Sequence, residues 1–169
     1  MKISVSLLST YLFCPRKLFL QEVLKLSALP QDVTIKGTIK HNVLDLFNKQ
    51  EKGIITSINE SNISQISEKY LSFYSRNLIN SIRIKSEILG KHNIPPINIY
   101  NEMWPFFRAD AEIRANHVTD FIHKNKLYGN ELWESLTPRI ITEQWVESDK
   151  LELKGKIDRL EKYNDRIIP

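Results

Sequence analysis

At 169 residues the chain is long enough for one domain with a real core and too short for two comfortable ones. Ordinary apolar content, only five glycines and a net charge of +4 exclude collagenous, low-complexity and disordered classes; they permit a nucleic-acid partner without requiring one. A single cysteine, Cys14, rules out a disulfide within the chain and fits a reducing cytoplasm, and the first apolar run, broken by Ser and Thr, makes neither a signal peptide nor a membrane span.

In chain order, Ser6 is placed to cap a short helix with Leu7, Leu8, Tyr11 and Leu12 on one face. Pro15 suits the first position of a second helix, Arg16 to about Val23, with Leu18 and Phe19 facing inward. Cys14 falls at the junction, beside Arg16 and Lys17. A free cysteine is most often a small buried hydrophobe; the competing reading is a thiolate ligand, favoured by nearby cations and a helix N-terminus.

After a loop through Pro30, Thr34 caps a helix from Ile35 to about Asn48, with Ile35, Ile39, Val43, Leu46 and Phe47 as its core stripe. Gly37, His41 and Leu44 lie on a neighbouring face. A glycine inside a helix costs about 1 kcal/mol relative to alanine, and its use here would be room for something to approach His41. A histidine is ordinarily a core or surface residue with a satisfied ring; the Gly37/His41 pairing weakens that reading without overturning it.

Lys49 to Ser61 reads as a polar loop. Asn62 with Gln65 resembles a capping box opening a long helix, which carries Ile63, Ile66, Tyr70, Phe73, Asn77, Leu78 and Ile82 near one side and ends about Gly90. Its Arg76 and Arg83, with Lys85 and Lys91, either line a phosphate track or form the commoner solvated face. Pro95-Pro96 makes a rigid break, and a further helix is expected from Pro105 to about Lys124, with Ala111, Ala115, Val118 and Phe121 or Ile122 inward. His117 and His123 read as surface residues, and Trp104, Phe106 and Phe107 as core anchors rather than base-stacking platforms.

At Thr137-Pro138 the period changes from helical to alternating. Arg139 to Glu147, RIITEQWVE, is a strand, and Ser148-Asp149 turns it into a hairpin, LELKGKIDRLEKYNDRIIP, whose last strand starts at Ile167. Asp158 stands inside a strand, where Asp is depleted; it is on a wet face or binding something. Helices followed by an antiparallel meander indicate an α/β domain of α+β order: residues 1–136 a helical N-terminal part, residues 137–169 the start of the sheet, one domain overall. Internal repeats, a Gly-rich phosphate loop and zinc-type Cys/His spacing do not occur. A chain that stops so soon after a strand begins is expected to be a fragment of a longer one.

Cys14-Pro15-Arg16 after a short helix, Gly37-x3-His41 on a helix, and Gly155-x2-Asp158 in a hairpin following Glu143 stand in one order. In that order and spacing the chain resembles the RecB-like nucleases of the PD-(D/E)XK superfamily, and within them the CRISPR-associated exonucleases that carry an iron–sulfur cluster. SVSLLSTYLFCPRKLFLQ is similar to that family's N-terminus, KGTIKHNVLDLF to its histidine motif, and LELKGKIDRLEKYNDRIIP to the run into its catalytic core.

The resemblance implies a restriction-endonuclease-like core, incomplete here, with the family's E-x-K motif expected just beyond Ile168-Pro169. It implies His41 and Asp158 as ligands of manganese or magnesium, Glu143 as a further acidic position, and Cys14 as the first of four cysteine ligands of a 4Fe-4S cluster. The activity implied is hydrolysis of DNA phosphodiester bonds, single strands included, trimming DNA before spacer integration alongside CRISPR integrase proteins, in the cytoplasm. Arg16, Lys17, Arg76 and Arg83 would hold the DNA backbone. Without the later motifs the present chain alone is expected to be inactive. Two other classes stay open: a non-catalytic nucleic-acid-binding or adaptor protein with a degraded nuclease fold, and a module of a larger helicase–nuclease.

Overall fold

A computed structural model describes residues 2–26, 32–59 and 61–169. The loop expected through Pro30 lies outside the described residues. The order is β1 (Ile3–Ser4), α1 (Val5–Phe13), α2 (Pro15–Leu18) running into a π-helical turn (Phe19–Val23), α3 (Asp32–Thr56), α4 (Ile63–Ile84), α5 (Ser86–Lys91), α6 (Pro96–Asn125), α7 (Gly129–Ser135), β2 (Arg139–Ser148), β3 (Leu153–Lys162) and β4 (Ile167–Ile168). This is an α+β arrangement, mostly helical with a four-stranded sheet. No helix among the described residues is long and apolar enough to cross a membrane.

The core lies among the helices. Along α3, Ile35, Ile39, Val43 and Phe47 are buried at four-residue spacing, which keeps them on one face. Phe47 stacks on Tyr74 of α4 at 4.8 Å between ring centroids and meets Phe73 edge-on at 5.3 Å. Removing so enclosed a ring, as in Phe47→Ala, costs about 3–5 kcal/mol. Ala111, Ala115, Val118 and Ile122 of α6 close the same core.

Several expectations about element ends are corrected. The helix expected to stop at Asn48 continues to Thr56, so the stretch from Lys49 is helix and not loop. The stripe runs on through Glu51 and Ile55, both buried, and a charged residue in a core position hid the period. The long α6 starts at Pro96 and passes through Pro105. Proline at the first helical position loses no intrahelical bond, whereas an interior one disrupts the ladder, and packing along α4 holds the helix together across it. The helix from Ile63 ends at Ile84, with α5 as a separate piece.

At the N-terminus Ser4, not Ser6, caps α1: its Oγ accepts from the Leu7 N–H at 3.0 Å. None of the residues of α1, α2 or the π-helical turn is buried, so Phe19, expected to face inward, is instead exposed, and Leu12 of the apolar face of α1 is exposed as well. Asn62 caps α4 as expected, its Oδ1 accepting from the Ser64 N–H at 3.0 Å.

The sheet is mixed rather than a pure antiparallel meander, because β1 pairs parallel with β3. The strand order is β1-β3-β2, with β4 also on β3. The hairpin β2–β3 keeps one register throughout, from Arg139↔Lys162 to Ser148↔Leu153. Gly155 sits where α1 crosses β3: a Cβ there would stand 3.1 Å from Val5 Cγ2. Helix α3 lies against β2, since Thr142 donates from its backbone N to Asn48 Oδ1 at 3.0 Å and from Oγ1 to the Leu44 carbonyl at 3.4 Å. That contact places α3's His41 over the hairpin.

Candidate metal centre

Strand alternation would turn neighbouring side chains to opposite faces. Thr142 and Glu143 are neighbours, yet both reach α3. The backbone explains it: Glu143 has φ 55, the left-handed region, inside β2. In the ladder Thr142 pairs with Arg159 and Gln144 with Ile157, so Glu143 and Asp158 stand opposite each other with no pairing of their own. Residues held in such conformations cost about 1–3 kcal/mol and gather at functional sites.

The outcome is a convergence of three ligand-type residues from three elements. His41 of α3, Glu143 of β2 and Asp158 of β3 each present one donor atom, and these atoms lie within 4.8 Å of one another. The Glu143 side chain is 3% exposed and that of His41 49%. His41 Nδ1 is 2.5 Å from Glu143 Oε1. Where the Glu143 carboxylate accepts here, Nδ1 carries the hydrogen, and a cation shared by the two residues would replace that hydrogen. Lys156, two residues before Asp158 on β3, brings its ammonium to 3.9 Å from Glu143 Oε2. One imidazole and two carboxylates suit a divalent cation, carboxylate oxygen being the natural donor for Mg or Mn.

The three residues open onto a cavity of about 310 Å³ between α3, α6 and the hairpin. Lys40 and Leu44 of α3 line it beside His41, and Arg159 beside Asp158. The opposite wall is a stripe of α6: Phe106, Ala109, Asp110 and Ile113, spaced three and four apart. Behind that wall lies a buried ionic cluster. Arg114, 2% exposed, donates from Nε to Asp110 Oδ2 at 2.7 Å and from Nη1 to Glu51 Oε1 at 2.8 Å. Tyr74 Oη donates to the same Asp110 oxygen at 2.5 Å. Burial pushes the Glu51 carboxyl up, with Arg114 pulling the other way. The guanidinium is held above its usual range, because Glu51, Tyr74 and Asp110 outweigh the burial that opposes its charge.

The structure thus gathers His41, Glu143 and Asp158 and leaves the other sequence-derived candidates elsewhere. Cys14 is half-buried and caps α2, its Sγ accepting from the Lys17 N–H at 3.4 Å. A 4Fe-4S cluster takes four ligands of this kind, and Cys14 is the chain's one cysteine, so the residues present do not make a cluster site. Arg16 and Lys17 are exposed on α2, Arg76 and Arg83 on α4, and none of them lines this cavity. Among the described residues a Cβ at Gly37 would meet nothing within 4 Å, so none of them uses the room it leaves. Sequence reasoning missed Lys40, Lys156 and Asp110, and placed Phe106 in the core; it is 42% exposed, whereas Phe107 is fully buried. The signal for Lys156 was available, since i and i+2 share a strand face with Asp158.

The comparisons with known proteins bear on the same span. A model of the PD-(D/E)XK nuclease superfamily, whose members generally are nucleases using divalent metals such as Mg or Mn, matches residues 2–168. No curated protein and no solved structure matches the chain. A match over nearly the whole chain, on a fold of the corresponding α+β type, means that this chain belongs to the PD-(D/E)XK nuclease superfamily.

Proposed function

We propose that this chain is the metal-binding part of a DNA nuclease that hydrolyses phosphodiester bonds with manganese or magnesium. The observation that carries the reading is the convergence of His41, Glu143 and Asp158 from three elements on one point. These residues would hold the cation, which when bound polarises the phosphoryl oxygen, generates hydroxide from water and supports the departing oxygen. Glu143 Oε1 lies against His41 Nδ1, which keeps the two donors side by side. Lys156 offsets the charge of the buried Glu143. Lys40 and Arg159, at the cavity wall, draw in the phosphodiester and hold it beside the carboxylates. Arg16, Lys17, Arg76 and Arg83 extend the contact along the backbone.

The finer reading is a CRISPR-adaptation nuclease of the RecB-like, iron–sulfur type, acting on single-stranded DNA before integration. Its support is the order of the Cys14, His41 and Asp158 motifs in the sequence.

The test is cleavage of end-labelled single-stranded and duplex DNA by the protein with Mn²⁺, Mg²⁺ or chelator. His41→Ala and Asp158→Ala should each abolish cleavage and leave DNA binding largely intact. Cleavage unchanged in both variants would remove the metal assignment.

A further inference from the structure

We propose that Phe106 is a stacking platform for an unpaired nucleobase next to the metal centre, which makes single-stranded nucleic acid the substrate of this site. The proposal rests on the nuclease reading above and adds to it the residue that recognises the substrate's form. Three observations carry it. Of three aromatic residues close together on α6, Phe107 is fully buried and Trp104 half-buried on Tyr100, but Phe106 is 42% exposed. It lines the same cavity as His41, Glu143 and Asp158. And its ring is fixed, because the buried Phe107 meets it edge-on at 5.2 Å and 78°.

Lys40 covers one side of the ring: its ammonium stands 3.7 Å from the Phe106 ring centroid. Among the described residues Lys40 makes no ion pair, so cation–π attraction is what parks it there. A base arriving on the ring would displace that ammonium, and the flexible lysine stem lets it turn to the phosphate that enters with the base. The exchange keeps the cation paired at each stage and couples base stacking to phosphate capture. Ile113, 51% exposed and two turns further along α6, extends the apolar wall.

The cavity, about 310 Å³, has room for a base and its sugar. A base can lie on the face of the ring only after it leaves the stack of its own strand, which an unpaired base does at the least cost. Base–aromatic stacking is sequence-tolerant, since every base has a π face.

The experiment measures binding without cleavage. A short single-stranded oligonucleotide carrying one 2-aminopurine, and a blunt duplex of equal length, are titrated in chelator against wild type, Phe106→Ala, Phe106→Trp and Lys40→Met. Phe106→Ala should weaken the single strand by about 5- to 150-fold, the range of one lost base stack, and should leave the duplex within about twofold. It should also abolish 2-aminopurine quenching, and Phe106→Trp should restore both. Lys40→Met should keep the quenching and flatten the salt dependence of binding. Unchanged single-strand affinity in a folded Phe106→Ala protein overturns the proposal, as does equal weakening of both substrates. Either result leaves the metal-dependent cleavage of the previous section standing; wild type that binds neither substrate overturns both readings.

Discussion

Arg114 and Asp110, one turn apart on α6, meet at 2.7 Å, and Asp110 is the point where this buried pair reaches the wall of the metal-centre cavity. Through Arg114 the wall is tied to Glu51 of α3, through Tyr74 to α4, and by a 3.4 Å contact to the Ile140 carbonyl of β2, three residues before Glu143. Every element that supplies or faces the site, except β3, is therefore held to one guanidinium. That guanidinium also lies 4.4 Å from the Phe47 ring centroid, in the middle of the core.

Removing one partner from a buried ionic cluster leaves the others charged and dry, which costs about 3–5 kcal/mol. Arg114→Met should destabilise the protein by that amount, read as a lowered urea midpoint with unchanged slope. Arg114→Lys keeps the charge but not the forked geometry, so it should fall between wild type and Met. A Met variant within about 1 kcal/mol of wild type would mean that the cluster is not what holds these elements together.

Much of this was legible in the chain, and what was not has physical causes. The stripe Ile35, Ile39, Val43 and Phe47 and the alternation of Arg139–Glu147 follow from periods of 3.6 and 2. Glu51 broke the reading because its burial depends on Arg114, sixty-three residues away, and periodicity carries no information about distant partners. The two-residue β1 is too short to have a period, and its parallel place on β3 is set by contacts with Leu153 and Lys154. At the site, His41 and Asp158 stood out by motif. Glu143 was named only as a further acidic position, and its contact with His41 was not legible, since nothing in RIITEQWVE announces a left-handed residue at a glutamate. Phe106 and Phe107 are adjacent in sequence, and only the packing of α6 decides which one enters the core.

Asp158 is exposed and makes no core contact, so Asp158→Asn should leave stability in chelator within about 0.5 kcal/mol of wild type. Manganese is expected to separate the two proteins. A ligand at a hundred times its Kd adds about 2.7 kcal/mol to the native state, so wild type should melt several degrees higher with Mn²⁺. The Asn variant should lose most of that rise. Equal rises would place the ion somewhere other than at His41, Glu143 and Asp158.

Chelation itself should not unfold the protein. The buried cluster of apolar residues belongs to the helices with Ile58 and Leu136, and none of His41, Glu143 or Asp158 is part of it. This differs from a structural zinc site, where metal binding and folding are one event. Excess EDTA should leave the far-ultraviolet circular dichroism spectrum unchanged while cleavage stops. Loss of helical signal on chelation would show that the cation organises more of the fold than the hairpin and α3.

The sharpest test of the site's geometry is at Glu143, where two substitutions remove the same carboxylate and differ only in the backbone they allow. Both Glu143→Ala and Glu143→Gly break the contacts to His41 and Lys156, so both should lose metal-dependent cleavage. In an ordinary strand alanine is the more stable of the two, by about 0.5–1 kcal/mol, because glycine loses more freedom on folding. At φ 55 the order reverses: a Cβ in the left-handed region costs about 1–2 kcal/mol, and glycine escapes that cost. The Gly variant should therefore unfold at a higher urea concentration than the Ala variant, by a margin equivalent to about 1 kcal/mol. The opposite order would mean that Glu143 lies in regular strand conformation. Alternation would then place Thr142 and Glu143 on opposite faces, and the convergence of Glu143 on His41 would fail with it.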